Sequence, residues 1–140
     1  MKDFDPIKYI EESRLPAMAR YTQFAIAAAK MAVEDAGLGT MPLDKTRASL
    51  LLGTTSPPVD SIEKQITSVL QDNLSLNGRQ NALAAICPHS PTAEVSNALG
   101  LFQSSLTVST ACTSGFNALG IGLREIRAGR KDVVVAGATE

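Results

Sequence analysis

Three short apolar segments, separated by longer amphipathic stretches, constrain the fold of this chain more than any other feature. They cover residues 47–53, 106–111 and 132–137, and turn-forming residues bound them. Apolar residues run through each segment instead of alternating with polar ones, which is typical of a strand covered on both faces. Because these segments alternate with helical patterns, we expect an α/β fold with a largely parallel or mixed sheet between helices.

The clearest helical pattern covers residues 17–36. This segment is rich in alanine, the strongest helix former. Apolar residues recur in it at steps of three and four, which predicts one core-facing side made of Tyr21, Phe24, Ala28, Met31 and Ala32. Gly37 follows at the position where a left-handed residue commonly ends a helix.

Two further helices are predicted in the middle of the chain. The first begins at Asp60 or Ser61 and carries an apolar stripe of Ile62, Ile66, Val69 and Leu70. The second covers residues 92–99 and ends before a glycine. A polar loop over 73–81 and a short apolar segment over 82–86 lie between them.

The last predicted helix covers residues 113–128 and ends before Gly129. Phe116, Leu119, Leu123 and Ile126 lie on one face of it. Gly120 and Gly122 each cost about 1 kcal/mol relative to alanine in an exposed helix. They are better explained if the helix is buried with another backbone close by, so that a substrate would reach a thiol at its start through a tunnel.

Composition excludes several functional classes. The chain has 140 residues, enough for one domain, and a net charge of −1 with lysine and arginine spread along it. This distribution gives no basic footprint for nucleic acid. The first residues lack the apolar core of a signal peptide, and no apolar run approaches the ~18 residues of a membrane span. Cys87 and Cys112 form neither a disulfide framework nor a metal-ligand spacing. We expect a cytoplasmic protein without membrane contact, metal or cofactor.

Cys112 is the candidate catalytic residue. It lies between a predicted strand and a predicted helix, with the small residues Ala111, Ser114 and Gly115 around it. The start of a helix lowers the pKa of a thiol and offers backbone N–H groups to an oxyanion. A strand-to-helix elbow also exposes the nucleophile, as in hydrolases that use serine. The pattern therefore predicts covalent acyl chemistry, although a cysteine outside a disulfide is also often a buried apolar filler.

A second cysteine lies beside the chain's one histidine, in the sequence Cys87-Pro88-His89. One cysteine and one histidine are too few ligands for zinc. A histidine in a loop is commonly a solvated or capping residue, but His89 could also act as a base for Cys112 in a Cys-His hydrolase.

The residues around Cys112 carry a family resemblance. Residues 108–120, which read VSTACTSGFNALG, resemble the active-site segment of the β-ketoacyl-[acyl-carrier-protein] synthases of the KAS I/II type, which are thiolase-like condensing enzymes. The segments 121–129 and 132–140 resemble the helix and strand that follow that cysteine. Residues 20–38 and 50–53 resemble an early helix and the next strand of the family.

The resemblance implies a layered α-β-α fold and a role for Cys112. This residue would take an acyl group from an acyl-carrier-protein thioester and pass it to the carbanion formed by decarboxylation of malonyl carrier protein. Its own backbone N–H would be one oxyanion donor. The partners implied are the acyl- and malonyl-loaded carrier protein and a second subunit, with the strand over 106–111 near the two-fold axis of a homodimer.

The same resemblance implies that parts of the enzyme lie elsewhere. The two histidines, the lysine and the second oxyanion donor of the family belong to the second half of its fold. Gln103 and Ser104 stand where a Gly-Pro is usual, and the opening strand of the family is missing. We therefore expect residues 1–140 to be a partial N-terminal domain of a ketosynthase: a fragment, a truncated gene product or one piece of a split enzyme.

Three functions stay open on the sequence. The first is a ketosynthase half that serves fatty acid or polyketide biosynthesis. The second is a non-catalytic acyl-binding or scaffold remnant in which Cys112 is inert, and the third is the Cys-His hydrolase.

A run of basic residues lies near the end of the last predicted helix; it consists of Arg124, Arg127, Arg130 and Lys131. The simplest interpretation is that these charges are favourable at the negative end of the helix dipole. The alternative interpretation is that they dock an acidic carrier protein.

Overall fold

The computed structural model describes residues 3–40, 43–56, 58–71 and 86–140. Among these residues the α-helices are α1 (Arg20–Asp35), α2 (Val59–Gln71), α3 (Ser90–Leu99) and α4 (Ser114–Arg127), and the strands are β1 (Ala48–Gly53), β2 (Ser104–Val108) and β3 (Val133–Ala138). Short 3-10 turns cover Pro6–Lys8, Glu12–Ala17, Leu38–Thr40 and Lys45–Arg47. The loop predicted over 73–81 and the apolar segment over 82–86 fall, apart from Ile86, outside the described residues.

The described strands form one parallel sheet in the order β2-β1-β3. Leu51 in the central strand pairs with Leu106 on one side and with Ala136 on the other. Parallel strands need crossover connections, which the helices between these strands supply. The prediction of a largely parallel sheet is confirmed.

Helices cover both faces of β1, whose six residues are all buried. Leu50 and Leu52 point to one face, where they pack with Ile26 of α1 and Val95 of α3. Leu51 points to the other face and packs with Ala118 of α4. Because successive strand residues alternate between faces, one strand contributes to both cores. The layered α-β-α arrangement is confirmed.

The outer strands are less covered than predicted. Ser104, Ser105 and Leu106 of β2 are exposed, and β3 is half-buried for most of its length. Both strands lie at an edge of the described sheet, where they have a hydrogen-bonded neighbour on one side only. The apolar segments therefore predicted the presence of these strands but not their burial.

Of the core face predicted for α1, Tyr21 is buried as expected, but the rest of the buried side is displaced by about one position. Its buried residues are Tyr21, Thr22, Gln23, Ala25, Ile26, Ala27, Ala29 and Val33. Met31 is 55% exposed, whereas Ile26 is 1% exposed and packs in the core. Small alanines occupy much of the buried side because α1 and α3 approach each other closely. Chain periodicity alone does not distinguish these alanines from those on the solvent side.

The apolar face predicted for α4 is present, but it is not the face that packs on the sheet. The face that packs on the sheet is made of small residues, Ser114, Ala118 and Gly122. The large apolar residues lie on the opposite side, where Phe116 is 79% and Leu119 52% exposed. We call the exposed side the apolar stripe; it consists of Phe116, Leu119, Leu123 and Ile126. The face that packs on the sheet needs small residues because the sheet is close. A Cβ at Gly122, for example, would lie 2.9 Å from a methyl group of Val134 in β3.

The strand before Cys112 is shifted relative to the prediction of 106–111. It begins at Ser104 and ends at Val108, because Ser104 and Ser105 pair with the central strand while the chain turns away after Val108. Residues 109–113 therefore form a turn of their own between β2 and α4, which we call the elbow.

Candidate active site

All three strands end at the same edge of the sheet, as parallel strands must. The residues just beyond these ends are Thr55 after β1, Cys112 after β2 and Glu140 after β3, and they line one cavity. In α/β sheets the carboxyl edge is where ligands bind. The fold thus brings together groups that are 28 or more positions apart in the chain.

Cys112 lies in the elbow, two residues before the first residue of α4. The preceding Ala111 has φ +52°, and among the described residues it is the one non-glycine residue with a positive φ. This left-handed conformation costs an alanine about 1 kcal/mol. Such strain persists where neighbouring groups hold the backbone in place.

Hydroxyl groups supply much of the hydrogen bonding in the elbow. The Ser114 Oγ, in a residue that is 3% exposed, donates to the Ala111 carbonyl at 2.7 Å and accepts from the Thr110 N–H at 2.9 Å. The Thr55 Oγ1 donates to the same Ala111 carbonyl at 2.8 Å. The Ser114 N–H reaches that carbonyl as well, at 2.9 Å. One backbone oxygen therefore collects donors from both sides of the elbow.

A second set of side chains closes the turn at Thr110. The Thr113 Oγ1 donates to the Thr110 carbonyl at 2.7 Å, and the Asn117 Nδ2 donates to the Thr110 Oγ1 at the same distance. These bonds replace the strand ladder, which the chain leaves after Val108. The elbow is consequently a turn that is ordered by its own side chains.

Glu140 holds the segment that follows β1. Its Oε1 accepts from the Thr55 N–H at 2.7 Å, and its Oε2 accepts from the Ser56 N–H at 3.2 Å. Sequence reasoning missed both Thr55 and Glu140. Each is one of the first residues beyond a predicted strand, and that position at the carboxyl edge of a parallel sheet was the available indication.

The elbow packs tightly against the end of β1. A Cβ added at Gly53 would lie 2.5 Å from the Ser114 carbonyl carbon, and one added at Gly115 would lie 2.9 Å from the Ala138 Cβ. No side chain fits at Gly53 without moving backbone. Glycine there allows the first turn of α4 to rest on the strand ends.

The cavity at this edge has a volume of about 570 Å³. Cys112 is exposed in it, so the predicted tunnel to a deep thiol is not seen among the described residues. Phe116 and Leu119 of the apolar stripe form an apolar wall, and the Glu140 carboxylate is the charged group in the lining. An accessible sulfur can receive an acyl group, and the apolar wall beside it can accommodate the hydrocarbon part of that group.

The second cysteine and the histidine lie away from this cavity. His89 precedes α3 and caps it without a side-chain hydrogen bond, and neither it nor Cys87 is among the residues that line the cavity. The Tyr21 hydroxyl donates to the Cys87 carbonyl at 3.3 Å, and burial raises the pKa of Tyr21 above its usual value. The structure does not bring His89 and Cys112 into the pair that a Cys-His hydrolase needs.

The basic run after α4 is partly used within the chain. Arg130 bonds both carboxylate oxygens of Glu125, at 2.9 and 2.8 Å, and the Lys131 Nζ donates to the Thr46 carbonyl at 2.7 Å. Arg124 and Arg127 lie in the last turn of α4, where they favour the negative end of the helix dipole. In the described part of the chain, no helix has both the length and the apolarity that crossing a membrane requires.

Comparison with known sequences gives one family. The β-ketoacyl synthase N-terminal domain family matches residues 1–140. The ketoacyl synthase alpha subunit of the tetracenomycin polyketide synthase of Streptomyces glaucescens is 32% identical over 144 residues, which cover 99% of this chain and 34% of that protein. The chain thus spans about a third of the length of the curated relatives, 34% in four of them.

Solved structures give the same fold. The ishigamide ketosynthase/chain length factor superposes with a TM-score of 0.85 at 31% identity, over 97% of this chain and 34% of that one. A complex of a type II polyketide synthase acyl-carrier protein with its ketosynthase, bound to the hexaketide, gives a TM-score of 0.88 at 25% identity, over 99% of this chain and 39% of that one.

Proposed function

The chain belongs to the β-ketoacyl synthase family, whose N-terminal domain it matches over residues 1–140, and on that premise we propose that Cys112 is the nucleophile of an acyl transfer. The observation that carries the proposal is an exposed cysteine in a hydroxyl-rich elbow that opens into the cavity at the carboxyl edge of the sheet. The acyl donor is a thioester of acyl-carrier protein.

The reaction needs no redox partner. The Cys112 thiolate attacks the thioester carbonyl and forms a new carbon–sulfur bond, and the backbone N–H of Cys112 stabilises the oxyanion. The bond to the carrier's sulfur then breaks, and the carrier leaves as a thiol after taking up a proton. The acyl group next passes to the carbanion made by decarboxylation of a malonyl carrier protein.

Polyketide assembly is the pathway that the relatives favour. The relatives include a tetracenomycin ketoacyl synthase subunit and a structure of an acyl-carrier protein in complex with its ketosynthase. We propose that an acyl-carrier protein is a partner of this chain. We also propose that the chain pairs with a second ketosynthase-type subunit, which is either another copy of itself, forming a homodimer, or a different chain. Thiols outside disulfides suit a cytoplasmic location.

Residues 1–140 form, in this proposal, a partial domain that the rest of a ketosynthase fold completes. Two features support it: the relatives are about three times as long, with this chain covering 34% of one of them, and the apolar stripe of α4 is exposed. Soluble proteins seldom leave a row of large apolar side chains in water. The proposed occupant of this face is the remaining two-thirds of the fold, which also carries the groups for decarboxylation.

The test is transfer of an acyl group from acetyl-loaded acyl-carrier protein to the protein as its own cells produce it, which we call the natural protein. The product is analysed by intact-mass spectrometry and peptide mapping. We expect the acyl mass on Cys112, its loss in Cys112→Ala, and its retention in the matched variant Cys87→Ala. Acylation that survives Cys112→Ala, or that maps to Cys87, contradicts the proposal. Absence of any acylation favours the non-catalytic acyl-binding alternative.

A further inference from the structure

The conformation of Ala111 determines where the sulfur of the next residue points. We propose that Thr55 and Ser114 are positioning residues for Cys112, because their hydroxyls hold Ala111 in its left-handed conformation. This inference rests on the proposed function, in which Cys112 is the nucleophile. It assigns a role to two side chains that do not themselves react.

The Ala111 carbonyl is the point on which both hydroxyls act. Thr55 Oγ1 and Ser114 Oγ lie 2.8 and 2.7 Å from it, and the two hydroxyl oxygens are 3.0 Å apart. Each hydroxyl has one proton to donate. When both protons go to the carbonyl, the peptide between Ala111 and Cys112 is held in one orientation.

Thr55 is the long-range member of this arrangement. It follows β1 and lies 56 residues from Ala111 in sequence, whereas Ser114 is within the same turn. A local hydrogen bond can form in an elbow of any orientation, but the bond from Thr55 forms only when the elbow rests on the end of β1. Thr55 thus links the position of the elbow to the sheet.

Glu140 extends the link to the third strand. Its carboxylate accepts from the N–H groups of Thr55 and Ser56, which fixes the segment that presents the Thr55 hydroxyl. The ends of β1 and β3 therefore act together on the turn after β2. Glutamine in place of Glu140 would retain one acceptor oxygen in place of two and so weaken this anchor.

The experiment compares reaction rates at Cys112 in the natural protein. Two rates are measured by mass spectrometry: acylation by acetyl-loaded acyl-carrier protein, and alkylation by iodoacetamide with Cys87 as the internal reference. The variants are Thr55→Val, which keeps the shape without the hydroxyl, Thr55→Ser, which restores it, and Ser114→Ala. Thr107→Val is the matched control, since it removes a hydroxyl pair of 2.7 Å with Thr92, in residues that do not line the cavity.

We expect Thr55→Val and Ser114→Ala each to slow both reactions of Cys112 by about 3- to 10-fold, which is the effect of one net hydrogen bond. Thr55→Ser should return to within about 2-fold of the unsubstituted rate, and Cys87 and Thr107→Val should be unaffected. A purely structural role predicts no such rescue and an equal effect of the control. In an Ala111→Gly background the loss from Thr55→Val should shrink, because glycine adopts positive φ without strain.

Two outcomes overturn the inference: Thr55→Val without effect on Cys112, or Thr107→Val with the same effect. If Thr55→Val fails to fold, Glu140→Gln, at an exposed position, replaces it. We expect this variant to slow the reactions of Cys112 by a smaller factor. An unchanged rate at Cys112 counts against the inference. The alkylation rate separates this inference from the proposed function. If Cys112 is acylated at the same rate with and without the Thr55 hydroxyl, only the positioning inference is refuted. If alkylation of Cys112 depends on Thr55 but no acylation occurs, only the proposed function is refuted.

Discussion

Small side chains allow the elbow and the first turn of α4 to rest on the strand ends. Gly53 shows this best, since the atoms nearest to an added Cβ are backbone atoms of Ser114 and Gly115, at 2.5 to 2.7 Å. Backbone cannot move aside as the end of a flexible side chain can. The position of Cys112 therefore depends on a residue in another strand that has no side chain at all.

Gly53→Ala should destabilise the protein by about 1–3 kcal/mol, the usual cost of overpacking. The measurement is urea denaturation followed by circular dichroism. Gly120→Ala is the matched control, because a Cβ there has nothing within 4 Å. Alanine should stabilise this helical position by about 0.5–1 kcal/mol. Equal unfolding free energies for the two variants would show that the elbow does not pack on β1 as described.

At the scale of elements, an ion pair joins the starts of β1 and β3. The Arg47 Nε and Nη2 each bond one carboxylate oxygen of Asp132 at 2.6 Å, and Nη2 also donates to the Gly129 carbonyl at 2.9 Å. The hydrogen bonds from Arg47, together with its charge, lower the pKa of Asp132 below its ordinary 3.8. A bidentate pair of this kind orients the two strand starts.

The direction of the Asp132 pKa shift gives a pH dependence. Because the pKa is lower in the folded than in the unfolded chain, the pair's contribution is present above about pH 4 and is lost as the pH falls through the folded value. Asp132→Asn should therefore lower stability at pH 6 and have a smaller effect at pH 3, as measured by urea denaturation at both. Asp35→Asn, at an exposed carboxylate that forms no ion pair with the described residues, is the control. A loss from Asp132→Asn that is equal at both pH values contradicts the linkage.

At the scale of the molecule, the sheet has one fully buried strand and two outer strands that are partly open. The core lies between β1, α1 and α3 on one side and between β1 and α4 on the other. The apolar stripe of α4 then faces outward, at exposures from 40% at Ile126 to 79% at Phe116. This surface belongs, in our proposal, to the junction with the rest of a ketosynthase fold.

Leu123→Lys tests whether that junction exists. In the natural protein it should lower the free energy of unfolding by about 1.5–3 kcal/mol, because burial of a leucine would be lost. Met31→Lys is the control: Met31 is 55% exposed on α1, against 50% for Leu123 on α4. It should change stability by less than about 0.5 kcal/mol. The same small change for both variants would mean that the stripe stays in water.

Local sequence features by themselves determined which segments form helices and strands and where the helices end. The three predicted strands and four predicted helices are present within a few residues of their predicted bounds. Gly37, Gly100 and Gly129 all have positive φ at helix ends. These properties depend on neighbours within a few positions, such as spacing, propensity and turn residues, which is why they can be deduced without a fold. The place of Cys112 between a strand and a helix belongs to the same class.

Only the tertiary structure decided which side of each helix is buried and which residues surround Cys112. In α4 the small residues Ala118 and Gly122 face the sheet, because close packing on β1 and β3 leaves no room for larger ones. Thr55 and Glu140 meet the elbow because parallel strands bring their carboxyl ends to one edge. Such contacts join residues far apart in sequence, and spacing along the chain carries no information about the surface on the other side.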